Sequence, residues 1–225
     1  GAFRVRRIDV DLPGLPPALE GLRIAHVSDL HVGRFTQGST LRRIVEATNR
    51  LRPDLIVLPG DLINNTLTDL PEALEAVESM ESRHGAFLCL GNHDLIDNGM
   101  EFVAQTRARV PLLIDESRVI AGRDQPVEIL GLSWHRGEPS IAAAVRSLVG
   151  RVQPGAFLIL LAHHPHAFDA AAESGIPLTV AGHTHGGQLM LPGGIGFGPL
   201  MYRYWSGLYR KPEHGAAIVV SNGAG

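Results

Sequence analysis

Leu22-Arg23-Ile24-Ala25-His26-Val27-Ser28-Asp29-Leu30-His31 is the stretch on which the fold turns. Its apolar run, Leu22–Ser28, has the character of a short buried strand and empties directly into a carboxylate and an imidazole. The same arrangement returns four times. Asp54–Leu58 leads into Gly60-Asp61-Leu62, Ala86–Leu90 into Gly91-Asn92-His93-Asp94, and Phe157–Ala162 into His163-His164-Pro165. Ile176–Ala181 leads into Gly182-His183-Thr184-His185-Gly186-Gly187-Gln188, two imidazoles one residue apart in a bed of glycine. Oxygen and imidazole groups therefore recur wherever a strand ends.

The segments between these runs have helical spacing. Thr36 to Leu51 places Leu41, Ile44, Val45 and Thr48 on one face and is closed by Pro53. Pro71–Ser82 repeats the pattern with Leu74, Val77 and Met80, and a third helix is expected around Met100–Arg109. Strand, helix, strand, helix, strand argues for a parallel sheet with helices on its faces. Shorter runs at Leu112–Ile114, Arg118–Ala121 and Val127–Leu132 read as an antiparallel section. Helices at Ser140–Leu148 and Ala167–Glu173 follow, then late strands at Gln188–Leu191, Gly207–Tyr209 and Ala216–Val220. At the start, Phe3–Val10 reads as an edge strand and Leu12–Leu22 as a loop. No repeat, low-complexity tract or linker divides the chain, so one domain over residues 1–225 is expected, with two packed sheets and helices outside.

Composition is that of an ordinary globular protein, with 44% apolar and 19% charged residues. A formal net charge of −3 gives no reason to expect a nucleic-acid partner. The single cysteine, Cys89, excludes an intramolecular disulfide framework and reads as a buried strand residue. No apolar run approaches the ~18–20 residues of a membrane span, so neither a spanning helix nor a secretory signal is read here. A leader or anchor removed upstream of Gly1 stays open.

Ligands in an α/β sheet bind beyond the carboxyl ends of the strands, so these clusters can converge on one rim. Asp29, His31, Asp61, Asn92, His163, His183 and His185 make seven candidate metal ligands. That is more than the roughly four that one tetrahedral ion takes. It suits two ions sharing a bridging carboxylate about 3.5–4 Å apart. Nitrogen and oxygen ligation without thiolate fits zinc, manganese or iron better than calcium.

These blocks, Asp29-Leu30-His31, Gly60-Asp61, Gly91-Asn92-His93-Asp94, His163 and Gly182-His183-Thr184-His185, resemble in order those of the calcineurin-like metallophosphoesterase superfamily. The resemblance implies a four-layer α/β/β/α sandwich of two mixed sheets flanked by helices. It implies a dinuclear phosphohydrolase, most simply a phosphodiesterase, whose metal-activated hydroxide attacks phosphorus in line. Carried over by position, one ion would be held by Asp29, His31, Asp61 and His185. The other would be held by Asp61, Asn92, His163 and His183, with Asp61 bridging. His93 would contact the phosphate and serve the leaving oxygen, and Asp94 would orient its ring. His163 and His164 compete for one ligand position; the pattern favours His163 and leaves His164 facing substrate.

Other residues have open readings. Arg34 is either a phosphate contact or a surface arginine, and His135 either a substrate-side contact or a loop residue. His26, inside a strand, reads as a core histidine; His84, His166 and His214 read as unremarkable. Residues 201–211 gather all three tyrosines, Trp205 and three cations after the Pro192–Pro199 loop. They are either a late strand with a covering loop or an aromatic-basic lip, with Tyr204 and Trp205 touching substrate or a membrane surface.

The opening and the Gly-His-Thr-His-Gly-Gly-Gln block are similar to a bacterial branch of phosphodiesterases, some of them exported or membrane-associated. The resemblance then implies a monomer acting on a phosphodiester or pyrophosphate, small or lipid-linked, in the cytoplasm or at a membrane surface. A specific alternative is the UDP-2,3-diacylglucosamine pyrophosphatase of lipid A synthesis. A non-catalytic scaffold of the same fold is the alternative of another class; such proteins typically lose ligands or the substrate histidine, and all are present here.

Overall fold

The computed structural model describes residues 3–34, 36–120, 125–134, 137–185, 190–191, 195–196 and 202–224. Along the chain run β1 (Ile24–His26), α1 (Ser39–Arg50), β2 (Leu55–Leu58), α2 (Leu70–Glu78), β3 (Ala86–Leu88) and α3 (Gly99–Arg107). Then come β4 (Glu116–Ile120), β5 (Val127–Gly131), α4 (Glu138–Val149), β6 (Phe157–Ala162), α5 (Ala167–Glu173) and β7 (Leu178–Ala181). The last elements are β8 (Met190–Leu191), β9 (Ile195–Gly196), β10 (Gly207–Lys211) and β11 (Ala216–Val220).

The first half forms a sheet in the order β1-β2-β3, all parallel, with Ile24 opposite Leu55 and Ile56 opposite Ala86. The second forms a mixed sheet in the order β10-β11-β7-β6-β5-β4, parallel from β11 to β5 and antiparallel at both edges. Strand side chains alternate between faces, and this builds the layers. Leu55 and Val57 of β2 point inward with Phe87 and Cys89 and meet Ile129, Ile159, Leu161 and Val180 from the larger sheet. Ile56 and Leu58 point outward and pack on Leu41 and Ile44 of α1, Leu74 and Val77 of α2 and Phe102 of α3. On the far side Leu158 and Leu160 bury against Ile141, Val145 and Ala171 from α4 and α5. Helices, sheet, sheet, helices is the resulting order. Strands buried on both faces are why β2 and β6 are continuous apolar runs.

Of the differences from the sequence reading, three have local reasons that the structure shows. The first helix starts at Ser39 rather than Thr36, because Thr36 bridges Val32 and Gly38 takes φ 54°. Phe3–Val10 is not a strand. Residues 4–9 are exposed, and only Phe3 and Val10 rest on the core. With charges on both sides the run buries too little to offset the entropy of ordering it. Leu112–Ile114 makes one isolated bridge, Leu112 to Leu88, instead of a strand. Within Gln188–Leu191 the described part is β8; residues 188–189, Ala121, His135 and most of the Pro192–Pro199 loop lie outside the described residues. Among the described residues no helix is long and apolar enough to cross a membrane.

Candidate metal centre

Five loops deliver the site, each just past the carboxyl end of β1, β2, β3, β6 or β7. Extended backbone cannot turn several side chains into one volume, and the chain bends sharply to do so. Asp29, His31, Asp61, His183 and His185 all have positive φ, between 43° and 70°, and only Arg52 and Asp115 share this among the described non-glycine residues. Left-handed backbone is sparsely populated outside glycine, and Asp and His are among the residues that tolerate it best. Two glycines let the loops close. A Cβ on Gly91 would lie 2.1 Å from Asp61 Oδ1, and one on Gly182 would lie 2.2 Å from Asp29 Oδ2.

Seen across the rim, the ligand-bearing atoms form two groups joined by one carboxylate. His31 Nε2 and His185 Nε2 are 2.9 Å apart, and His185 Nε2 is 3.6 Å from Asp29 Oδ1. In the second group His163 Nε2 lies 3.0 Å from His183 Nδ1 and 3.1 Å from Asn92 Oδ1. Asp61 Oδ2 lies 3.2 Å from His163 Nε2 and 3.6 Å from His31 Nε2, so it stands between the two. His163, not His164, is therefore the imidazole placed against Asp61 and Asn92.

Backbone contacts fix these orientations. The Pro59 carbonyl lies 2.8 Å from His163 Nδ1, and the His183 amide donates to both Asp29 oxygens at 3.0 and 3.2 Å. Ser28 Oγ donates to Asp29 Oδ2, and the His93 amide donates to Asp61 Oδ1. With Nδ1–H on Pro59, His163 carries a second proton on Nε2 in the metal-free protein, and once that proton leaves, its lone pair faces oxygens and an imidazole that also carry lone pairs. Buried acceptors facing one another call for a cation, and this mixed nitrogen–oxygen set fits divalent transition metals. Asp29–His31–His185, His31–Asp61–His93 and Asp61–His163–His183 each bring ligand atoms within 4.8 Å of one another.

The electrostatics agree. Burial, with the Asp61 charge nearby, raises Asp29 to about 7. Burial also acts to raise Asp61, but the hydrogen bond and charge of His163 outweigh it and bring Asp61 to about 2. Burial opposes charge on His163 too, and Asp61 overcomes it, holding His163 near 9. Burial and the surrounding imidazoles lower His31 and His183 to about 4 and lower His185. Three rings are thus kept neutral, the form that ligates metal.

Asp94 does not orient the His93 ring. Its carboxylate accepts from the amides of Asp61, Leu62 and Gly91 at 2.8–3.0 Å, bracing the Asp61 turn. The His93 ring instead sets Nδ1 2.5 Å from the Asn64 carbonyl and stands edge-on to His31. Tyr204 does not face the site either: it is buried, its hydroxyl lies 2.7 Å from Asp169, and it packs between Phe168 and Tyr209. Trp205 holds the rim through its backbone, its carbonyl accepting from Thr184 Oγ1 at 2.6 Å. Arg34 is exposed, with its carbonyl 3.4 Å from Gln37 Nε2. His164 is half-buried beside His183 and His166, and burial with these neighbours lowers it to about 3.

Sequence reasoning missed three contributors and left a fourth, Tyr202, open within the 201–211 stretch. Trp134 stands 5.5 Å from His163 and 5.3 Å from His183, and Tyr202 6.0 Å from His183, measured between ring centres. Asn64 supplies the carbonyl under His93. The tail returns over the Asp29 turn, the Ala224 amide donating to the Ser28 carbonyl at 2.9 Å. No local pattern marks Trp134, Asn64 or the tail.

The calcineurin-like phosphoesterase family model matches residues 22–187. A transmembrane protein with metallophosphoesterase domain from Danio rerio is 34% identical over 97% of this chain and 52% of its own length. The UDP-2,3-diacylglucosamine pyrophosphatase LpxG of Chlamydia trachomatis is 37% identical over 41% of this chain and 28% of its own. The solved structure of GAP50, the anchor in the inner membrane complex of Plasmodium, shares the fold with a TM-score of 0.56 at 12% identity, covering 90% of this chain and 71% of that one. The chain spans about half the length of the first curated relatives it matches. From the strand that opens the Asp29 block to the histidine pair that closes the rim, this chain belongs to the calcineurin-like phosphoesterase family.

Proposed function

We propose that the chain is a dinuclear metal-dependent phosphodiesterase. One observation carries the reading: Asp61 Oδ2 stands between His31 Nε2 at 3.6 Å and His163 Nε2 at 3.2 Å, where one oxygen can serve two ions. Asp29, His31, Asp61 and His185 would hold one ion; Asp61, Asn92, His163 and His183 the other. Bound there, divalent manganese, zinc or iron supplies a nucleophilic water near neutral pH and neutralises charge on the phosphate. The rest falls to the protein. His93, held by Nδ1 against the Asn64 carbonyl, would use Nε2 to serve the leaving oxygen as its proton donor. Asp94 acts one step back, by holding the amides that set the Asp61 turn. Overall, water adds to phosphorus, the bond to the leaving oxygen breaks, and a monoester and an alcohol are released.

The test pairs two variants, assayed for metal content and for diester turnover. On a diester with an alkyl leaving group His93→Ala should keep its metal and lose most of its turnover, while Asp61→Ala should lose both ions. One ion fully retained in Asp61→Ala would refute the bridge.

A lipid-linked pyrophosphate is the second reading, favoured by the match to the Chlamydia pyrophosphatase. Comparing UDP-2,3-diacylglucosamine with a generic aryl diester decides it, since equal or poorer turnover of the lipid removes the reading. A surface contact with a membrane belongs with it. A non-catalytic scaffold is disfavoured by the presence of His93 and all seven candidate ligands.

A further inference from the structure

A diester has two ester oxygens, and His93 can serve only one. The His93 ring lies at the His31 end of the rim, 4.6 Å between ring centres. At the opposite end, beyond His163 and His183, stand Trp134, His164 and Tyr202. Trp134 lies 5.9 Å from His164, and Tyr202 lies 6.0 Å from both His164 and His183, so the two aromatic rings flank that imidazole pair. Both are half-buried, each keeping some of its surface open to solvent.

Trp134 is set there by a support outside the metal groups. Asp115 takes a left-handed backbone, φ 50°, and grips Ser133 twice, from the amide at 3.0 Å and from Oγ at 2.7 Å. Arg151 Nη2 donates to the Asp115 carbonyl at 2.9 Å, and the Leu132 amide continues the ladder to Leu161. A strained residue with no candidate ligand role is held in place by contacts that aim the loop carrying Trp134.

We infer that Trp134, with Tyr202, forms the wall that receives the ester group retained on phosphorus, and that this site selects diesters whose retained group carries a flat ring. The inference rests on the phosphodiesterase reading. Flat rings stack on indole irrespective of their hydrogen-bonding edges, so aryl groups and nucleobases share this chemistry.

Three substrates with one leaving group, 4-nitrophenolate, separate the cases: methyl 4-nitrophenyl phosphate, bis(4-nitrophenyl) phosphate and thymidine 5′-(4-nitrophenyl) phosphate. Trp134→Ala, with metal content measured in parallel, should lose roughly ten- to a hundredfold in kcat/KM on a ring-bearing substrate, the range that stacking on an aromatic ring commands. It should change less than about twofold on the methyl ester, and Trp134→Phe should recover most of the loss. A loss confined to the bis-aryl ester assigns the wall to a ring bonded directly to the phosphate; one confined to the thymidine ester assigns it to a base across a sugar. An equal loss on all three, or reduced metal content, overturns the inference and leaves Trp134 a prop for His163 and His183. Wild-type protein that hydrolyses none of the three, though loaded with metal, refutes the phosphodiesterase reading itself and the wall with it.

Discussion

His163 Nδ1 lies 2.8 Å from the carbonyl oxygen of Pro59, a residue 104 positions earlier in the chain. The contact settles which nitrogen His163 offers to Asp61, and it ties the end of β6 in one sheet to the end of β2 in the other. A metal rim built across two sheets needs such a tie, because neither sheet alone holds every ligand.

Without metal, that imidazole holds a proton, since Asp61 keeps it near 9. Ligation requires the neutral ring, so binding at pH 7.5 should release on the order of one proton per chain. Calorimetric titration in two buffers of different ionisation enthalpy measures the release. A heat independent of buffer would contradict the pairing of His163 with Asp61.

His26 should make the metal-free protein acid-sensitive. Its Nε2 is buried with no hydrogen-bond partner among the described residues, and burial lowers it to about 4 from 6.5. Below pH 6.5 the unfolded chain takes the proton while the folded chain refuses it. Stability present above 6.5 is therefore lost as pH falls toward 4, by about 3 kcal/mol at the limit. His26→Leu should flatten that part of the stability profile in urea titrations at pH 5 and 7.5. An unchanged difference between the two pH values would count against it.

Gly91→Ala should strip metal without unfolding the protein. The added carbon would sit 2.1 Å from Asp61 Oδ1 and 2.3 Å from the Asp61 backbone nitrogen, so the carboxylate and the turn that carries it must both move. Circular dichroism should stay near wild type while metal content falls by half or more. Full retention of metal would show that the turn can yield.

His93→Ala should cost more when the leaving group is a poor one. An alkoxide needs a proton from Nε2 and 4-nitrophenolate does not, so the loss should be about 10²- to 10⁴-fold on an alkyl ester and much smaller on the aryl ester. Equal losses on both would assign His93 to phosphate binding alone.

Tyr204→Phe separates structure from substrate contact. Removing the hydroxyl that meets Asp169 at 2.7 Å should lower stability by about 1 kcal/mol and leave KM unchanged. A raised KM with unchanged stability would return Tyr204 to the substrate side.

The ligand blocks were legible because each interrupts a strongly apolar strand with a polar group, as Asp61 does after Leu55–Leu58. The layered fold followed from the same alternation. Long-range packing was not legible. Tyr204 and Tyr202 are two residues apart in one aromatic stretch, yet one is buried against α5 and the other stands beside His183. Trp134 sits in a segment with no periodicity, and its place depends on Asp115, 19 residues earlier. Phe3–Val10 misled because its rough alternation looks like a strand, while its arginines leave neither face apolar.

The left-handed turns at Asp29, His31, Asp61, His183 and His185 limit anyone who would re-engineer this rim for a different ion. Exchanging one of these side chains for a longer acid or a branched donor changes the chemistry and also asks an unsuited residue to adopt a backbone shape that costs it about 1–2 kcal/mol. Among residues that bring a ligand atom, asparagine and aspartate are the substitutes the main chain accepts most readily, so the conformation restricts the palette before coordination preferences enter.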